Sequence, residues 1–307
     1  MVALSILYVA GFFLQRYSDA FYAKHLNQCF KPYWVMSKKD QHYNYGIIGS
    51  SRALNIVNIK TTELYGKDNG INLAASGTGI AECYLIYSSF IENGNLLDTL
   101  FVQMDIYTLN ASISFNSPFH PFLYFPFLNE QDVQEVYKDN VSKLDYLLWR
   151  YVPYFKYAEF NNYYPIYKMK MIDNMCPVSP YEAYDGSEIL TDEDYEGFKP
   201  MQKKYHTVNP IDKKYVEKLV KLAQQQGTKV IFFTAPEFKE IKQFQQNREQ
   251  MYAEIRGIAE KYHIPYHDFT NYKDFTDKSL FGDYLHLNPI GVEKFSTFFA
   301  DTLLQTN

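Results

Sequence analysis

Short runs with no polar member alternate with amphipathic stretches along this chain, and that alternation limits the folds open to it. Residues 45–49 read as a buried strand, 70–73 as a short second one and 99–104 as a third. Lys229–Thr234, carrying Val230-Ile231-Phe232-Phe233, is apolar on both faces, as strands inside a parallel sheet are. Residues 264–269, with Pro265 near the start, read as an edge strand. Helical spacing of apolar residues falls between them, over 79–91, 213–226 and 249–262, and a last helix is expected over 289–304. Strands that alternate with helices imply right-handed βαβ units, hence a three-layer α/β/α sandwich on a mostly parallel sheet. Ligands of such sheets sit at the carboxyl ends of the strands, where Ser51, Gly77 and Asp105 fall.

Two segments more than two hundred residues apart carry chemistry. Gly49-Ser50-Ser51-Arg52 follows directly on the apolar Gly46-Ile47-Ile48, and Asp283-Tyr284-Leu285-His286-Leu287-Asn288 lies near the end. A serine on a strand-to-helix turn can point its hydroxyl out of the sheet beside unpaired first-turn amides. An Asp three residues before a His can turn back to accept the Nδ1 proton, leaving Nε2 for the serine.

On these residues the chain resembles the SGNH (GDSL-type) hydrolases. Ser51 matches the family nucleophile, Asp283 the orienting acid and His286 the general base. Asn72-Leu73-Ala74-Ala75-Ser76-Gly77 matches the second block, which implies that Gly77 joins Ser51 in donating backbone N–H groups to an oxyanion. The third block departs: Gln103-Met104-Asp105-Ile106 stands where the family has Gly-x-Asn-Asp. Asp105 cannot replace the missing Asn donor, because an ionised carboxylate only accepts. Gly-Ser-Ser-Arg-Ala and His-Leu-Asn-Pro-x-Gly look closest to membrane-anchored SGNH-like proteins of bacterial cell-envelope polymer acylation, the teichoic acid D-alanylation type. The resemblance covers roughly residues 44–110 and 210–305. It implies a flavodoxin-like domain over 31–307 that needs no cofactor or metal and acts on O-acyl groups of a cell-envelope or exported polysaccharide. A multi-pass membrane O-acyltransferase is an implied partner.

Several residues keep two readings. Ser50 is either the nucleophile in place of Ser51 or a helix N-cap. Arg52 suits an anionic substrate or a structural carboxylate partner, and Asp105 reads as a structural hydrogen-bond acceptor beside the site. Asn288 either orients the His loop or forms the turn before Pro289. His120 is a weaker candidate for substrate binding. His206 and His267 read as ordinary loop or core histidines.

The rest of the chain bounds the function. A net charge of −5 with no basic stripe gives no reason to expect nucleic acid. Three scattered cysteines, Cys29, Cys83 and Cys176, argue against a disulfide framework, though one bridge with a thiol left over stays open. Residues 2–14 are nearly all apolar and break at Gln15-Arg16, short of the about 20 residues a bilayer span needs. Within the segment 1–30 this stretch reads as part of a membrane anchor, as a short signal region or as a core helix. The first reading places the catalytic domain outside the cytoplasm, at the membrane or secreted. Residues 111–205 interrupt the α/β pattern with a Tyr- and Phe-rich insertion, either a helical cap with its own aromatic core or a lid with an aromatic groove, with Trp149, Tyr163, Tyr164 and Tyr167 as candidates. If that insertion formed an acyl tunnel, a lipid esterase would follow. A catalytically weak accessory module, binding a polymer or a membrane acyltransferase, is the reading from a different class.

Overall fold

The computed structural model describes residues 2–25, 31–64, 69–110, 119–158 and 203–304. Its centre is a five-stranded, wholly parallel sheet in the order β2-β1-β3-β4-β5. The strands are β1 His42–Ile48, β2 Gly70–Asn72, β3 Leu96–Gln103, β4 Lys229–Thr234 and β5 Tyr266–Asp268. Helices α1 Val2–His25 and α2 Lys31–Met36 precede the sheet, and α3 Ser51–Leu54 and α4 Ile59–Leu64 follow β1. Helix α5 Ile80–Glu92 joins β2 to β3. The described part of the insertion contains a 3₁₀ helix, Pro121–Phe127, then α6 Gln131–Asn140 and α7 Lys143–Tyr151. The chain returns through α8 Pro210–Gln225, α9 Arg248–Lys261 and α10 Pro289–Thr302.

Side chains alternate across the sheet and divide the core in two, as a strand period of two requires. Ile48, Leu100, Val102, Val230 and Phe232 pack with α2, α5, α8 and α9. Tyr45, Ile47, Phe101, Ile231 and Phe233 face the opposite way, against Ala53, Ile59 and the Phe295 and Phe299 side of α10. This is the three-layer sandwich that the strand–helix alternation predicts.

The starts of β1, β3 and β5 differ from the apolar pattern, β3 beginning at Leu96 where it pairs with the start of β1. β1 begins three residues before Tyr45 because its polar start still pairs with β3, His42 opposite Leu96. There Asp98 receives His42 Nε2 at 2.7 Å and Asn44 Nδ2 at 3.2 Å. β5 is shorter than 264–269 because the Ile264 amide still bonds Ala259 at the end of α9, at 2.8 Å.

The insertion joins the main core. Phe119, Tyr124, Phe125, Tyr137, Trp149 and Tyr157 belong to one apolar cluster with α5 and α8, so these described aromatics form no separate core of their own. Trp149 is buried there, edge-on to Phe125 at 5.1 Å. Tyr163, Tyr164, Tyr167, Cys29 and Cys176 lie outside the described residues, while Cys83 is a buried free thiol. Helix α1 runs on through Gln15-Arg16, and its second half docks on the insertion. Gln15 Oε1 accepts the Tyr154 amide at 2.8 Å, and Asp19 pairs at 2.8 Å with Lys156, whose side chain is 3% exposed. Among the described residues no helix is long and apolar enough to cross a membrane.

Phe101 sits at the centre of the second core, 4.8 Å from the Phe299 ring. Phe101→Ala is expected to lower unfolding free energy by about 3–5 kcal/mol in urea titration. Leu96→Ala on the same strand, at a position 50% exposed, should move it by less than about 0.5 kcal/mol.

Candidate active site

Gly49 makes the turn out of β1. Its φ is +155°, and a Cβ there would stand 2.7 Å from the Gln103 side chain and 2.8 Å from Ala53 Cβ, so only glycine fits. Ser50 takes the N-cap position of α3 and Ser51 the first helical residue. The Ser50 hydroxyl makes no capping bond; it donates to Gln103 Oε1 at 2.9 Å, and the Ser50 amide donates to the same oxygen at 3.1 Å. Ser51 Oγ instead lies 2.8 Å from His286 Nε2. The geometry therefore separates the two serines, one bound to the sheet edge and one to the imidazole.

Asp283 completes a continuous relay. Its Oδ2 and Oδ1 lie 2.8 and 3.0 Å from His286 Nδ1. Oδ1 also accepts the amides of Leu285 and His286 at 2.7 and 2.8 Å, closing the loop on itself. Burial pushes the Asp283 carboxyl up, but these bonds outweigh it and hold it below the ordinary aspartate value. Asn288 fixes the far end of the loop. Buried and at the N-cap of α10, it accepts the Gly291 amide at 3.0 Å and donates to the Ser279 carbonyl at 2.8 Å. Capping and holding the His loop are thus one arrangement.

Arg52 and Asp105 form a buried ion pair, Nη1 to Oδ2 at 2.7 Å, with side chains 3% and 2% exposed. Arg52 Nη2 donates to the carbonyls of Ala235 and Pro236 at 2.8 and 3.2 Å, and Nε donates to Leu285 at 3.3 Å. Burial alone would lower the Arg52 pKa, yet Asp105 and Glu237 more than offset it, so the cation is strengthened. Asp105 also accepts the Tyr107 and Thr108 amides at 2.9 and 3.0 Å and the Gln103 side-chain amide. These contacts take up the guanidinium and carboxylate, in keeping with structural rather than substrate roles.

The Gly77 loop runs alongside. The Leu73 amide bonds Ile47 O at 2.7 Å and the Ala75 amide bonds Gly49 O at 3.2 Å, which carries the loop past the end of β1 toward Ser51. Gly77 has φ +70°, a conformation that suits glycine.

Three participants escaped the sequence reading. Gln103 was visible only as a departure from the third block, yet it holds Ser50. Glu237 is buried just past β4, 3.8 Å from Arg52 and paired with Arg248; a charged residue so soon after an apolar strand was the available signal. Glu82, on α5, binds His120 from the insertion, and nothing in their spacing announced it. His206 is buried against Asn110 at 2.7 Å, remote in role from the relay. Among the described residues no group of acidic, Cys and His side chains could hold a metal ion.

Arg52→Ala leaves Asp105 charged, buried and unpaired, and is expected to cost about 3–5 kcal/mol in chemical denaturation. Arg52→Lys should recover only part, because a point ammonium cannot reach all four partners. The Asp283 contribution to stability is full above the ordinary carboxyl value of 3.8 and is lost as pH falls through the lower folded value. Urea midpoints of the wild type and Asp283→Asn should therefore converge only below about pH 4.

No protein-family model matches this chain, and no curated protein matches it in sequence. Among solved structures it is similar to a protein described as a "putative acylhydrolase" from Bacteroides fragilis NCTC 9343. That likeness has a TM-score of 0.38 and 10% identity over 88% of this chain and 89% of the other.

Proposed function

We propose that this chain is an SGNH-like serine esterase or acyltransferase that works through an acyl-serine intermediate. The observation that carries the reading is the unbroken relay Ser51 Oγ–His286 Nε2–His286 Nδ1–Asp283. In this reading Ser51 attacks an ester carbonyl while His286 takes its proton, and Asp283 fixes the imidazole tautomer. His286 then returns the proton to the departing alcohol, and water or a second alcohol releases the acyl group. The N–H groups of Ser51 and Gly77 stabilise the oxyanion. The substrate class we assign is an O-acyl group, acetyl or similar, on a cell-envelope or exported polysaccharide, as in the membrane-anchored relatives that Gly-Ser-Ser-Arg-Ala resembles.

One observation favours the accessory-module alternative: Asp105, where a third donor would stand, is spent on Arg52. Fluorophosphonate labelling with peptide mapping separates the two. Labelling of Ser51 in the wild type and in Ser50→Ala, but not in Ser51→Ala, supports the enzyme. A well-folded wild type that takes no label supports the module.

We also propose a membrane-facing location, extracytoplasmic and beside a multi-pass acyltransferase as the resemblance implies; the exposed apolar half of helix α1 supports the membrane-facing part alone. Ile6, Leu7, Tyr8 and Val9 are exposed in succession, as are Phe12, Phe13 and Leu14, so the first half of the helix turns apolar side chains outward in every direction. On α7, Leu144, Leu147 and Tyr151 form an exposed stripe at i, i+3 and i+7, continued by Val152 and Phe155. Gly11 meets Pro153 between the two; a Cβ there would lie 3.2 Å from the Pro153 carbonyl. Phe12→Asp with Phe13→Asp is expected to abolish co-flotation with liposomes while fluorophosphonate labelling is retained. Retained flotation would overturn the membrane assignment.

A further inference from the structure

The insertion places a second histidine–carboxylate pair beside the Gly77 loop. His120 Nδ1 lies 3.0 Å from Glu82 Oε2, and the His120 amide approaches the same oxygen at 3.4 Å. Tyr124 donates to Glu82 Oε1 at 3.3 Å. The Glu82 side chain is 0% exposed, and among the described residues no lysine or arginine pairs with it. A buried carboxylate without a cation is costly unless its partners fix it. Here the outcome is a His120 ring held at both its backbone and Nδ1, with its remaining edge open: the side chain is 37% exposed.

That open edge faces Gly77. A Cβ on Gly77 would lie 3.6 Å from His120 Cε1 and 3.8 Å from Nε2, so the missing side chain is what leaves the space between them. Gly77 and Glu82 sit on one connection, the loop and first turn of α5, so the loop and the anchor of the ring move together. In the acyl-serine reading the end of β3 supplies no oxyanion donor. Asp105 is ionically tied to Arg52 and accepts from Gln103, Tyr107 and Thr108, so it cannot present a donor to substrate.

We infer that His120 is a catalytic residue whose Nε2–H is the third donor to the acyl oxyanion, delivered by the insertion in place of a donor at the end of β3. This rests on the acyl-serine reading above. No proton leaves His120 in the step: the oxyanion accepts hydrogen bonds from the Ser51 and Gly77 amides and from Nε2–H, and releases them when the carbonyl re-forms. The titratable groups that face His120 are Glu82 on α5 and, through it, the neutral phenol of Tyr124 on the 3₁₀ helix. With two protons shared by the His120–Glu82 pair, Nε2 carries hydrogen whichever partner holds the bridging proton. Loss of one proton turns Nε2 into an acceptor. Glu82 raises the His120 pKa against the opposing effect of burial, so the donor form persists above the ordinary histidine range.

The test is the rate at which a fluorophosphonate, whose phosphoryl oxygen occupies the oxyanion position, modifies Ser51 in the full chain, alongside kcat and KM for p-nitrophenyl acetate. His120→Ala should slow both phosphonylation and kcat about 100-fold, with KM within about twofold. His120→Gln, whose amide can donate, should recover part of the rate and abolish the decline at alkaline pH. Glu82→Gln should shift that decline downward, toward the ordinary histidine value. Thermal melting identifies any variant that fails to fold; if His120→Ala does, the His120→Gln pH profile decides. Wild-type rates in His120→Ala, a loss confined to KM, or an unchanged profile in folded His120→Gln would overturn the assignment. A folded wild type in which Ser51 takes no label overturns the acyl-serine reading and this one with it, whereas a labelled wild type indifferent to His120 overturns this one alone.

Discussion

The Arg52 guanidinium is the contact on which the carboxyl edge of the sheet depends. It reaches Asp105 after β3, Ala235 and Pro236 after β4, and Leu285 in the Asp-x-x-His loop. The four partners come from three separate connections, which a planar fork of five N–H donors can join and a lysine cannot. The positions matter more than the energy. A buried ion pair returns little net stability after desolvation, but it fixes where its neighbours stand. Arg52 follows Ser51 and Leu285 precedes His286, so the Nε bond to Leu285 O ties the neighbour of Ser51 to the neighbour of His286. The 2.8 Å contact between Ser51 and His286 is therefore held from behind, by buried side chains whose polar groups are already bonded within the fold.

The sheet supplies the rigid frame for that knot. β3 is its middle strand, paired on both sides, and its side chains serve both cores: Leu100 and Val102 face the α5 and α8 layer, Phe101 the α10 layer. Gln103 and Asp105, at the end of the same strand, inherit that fixed position and pass it to Ser50 and Arg52. The insertion does not stand apart from this frame. Its aromatics share the α5 and α8 core, which is how a residue as far along as His120 can be set against the β2–α5 loop.

Much of this was legible in the chain because the signals were local. Fully apolar runs give parallel strands, Asn288-Pro289 before an apolar stretch gives the start of α10, and Asp283 with His286 can close its own loop at a separation of three. The polar start of β1 was not legible, since its pairing comes from β3 and not from its own pattern. The hub around Arg52 was half legible: Arg52 and Asp105 could be singled out, but their partners Ala235, Pro236 and Leu285 act through backbone carbonyls, which any residue type would supply. The Glu82–His120 pair was illegible for a different reason. It spans an insertion whose packing no periodicity describes, and a buried glutamate on an otherwise apolar helix face looks like an error until its partner is found.

The third block then gains a physical explanation. A side-chain amide at position 105 would keep an oxyanion donor at the end of β3, but it could not neutralise Arg52, and the cation would be left buried among carbonyls with Glu237 at 3.8 Å. With aspartate there, the cation is satisfied and the donor is lost. Those two requirements compete for one side chain, so in the proposed acyl-serine reading a third donor has to come from an element that does not belong to the sheet. The insertion is that element: it is anchored in the helical core, it passes the Gly77 loop, and it presents there an imidazole whose Nδ1 is already taken by Glu82. The loss at Asp105 and the pair at His120 are, in the proposed reading, one design, in which the sheet edge is stiffened by charge and the aromatic insertion takes over the third oxyanion contact.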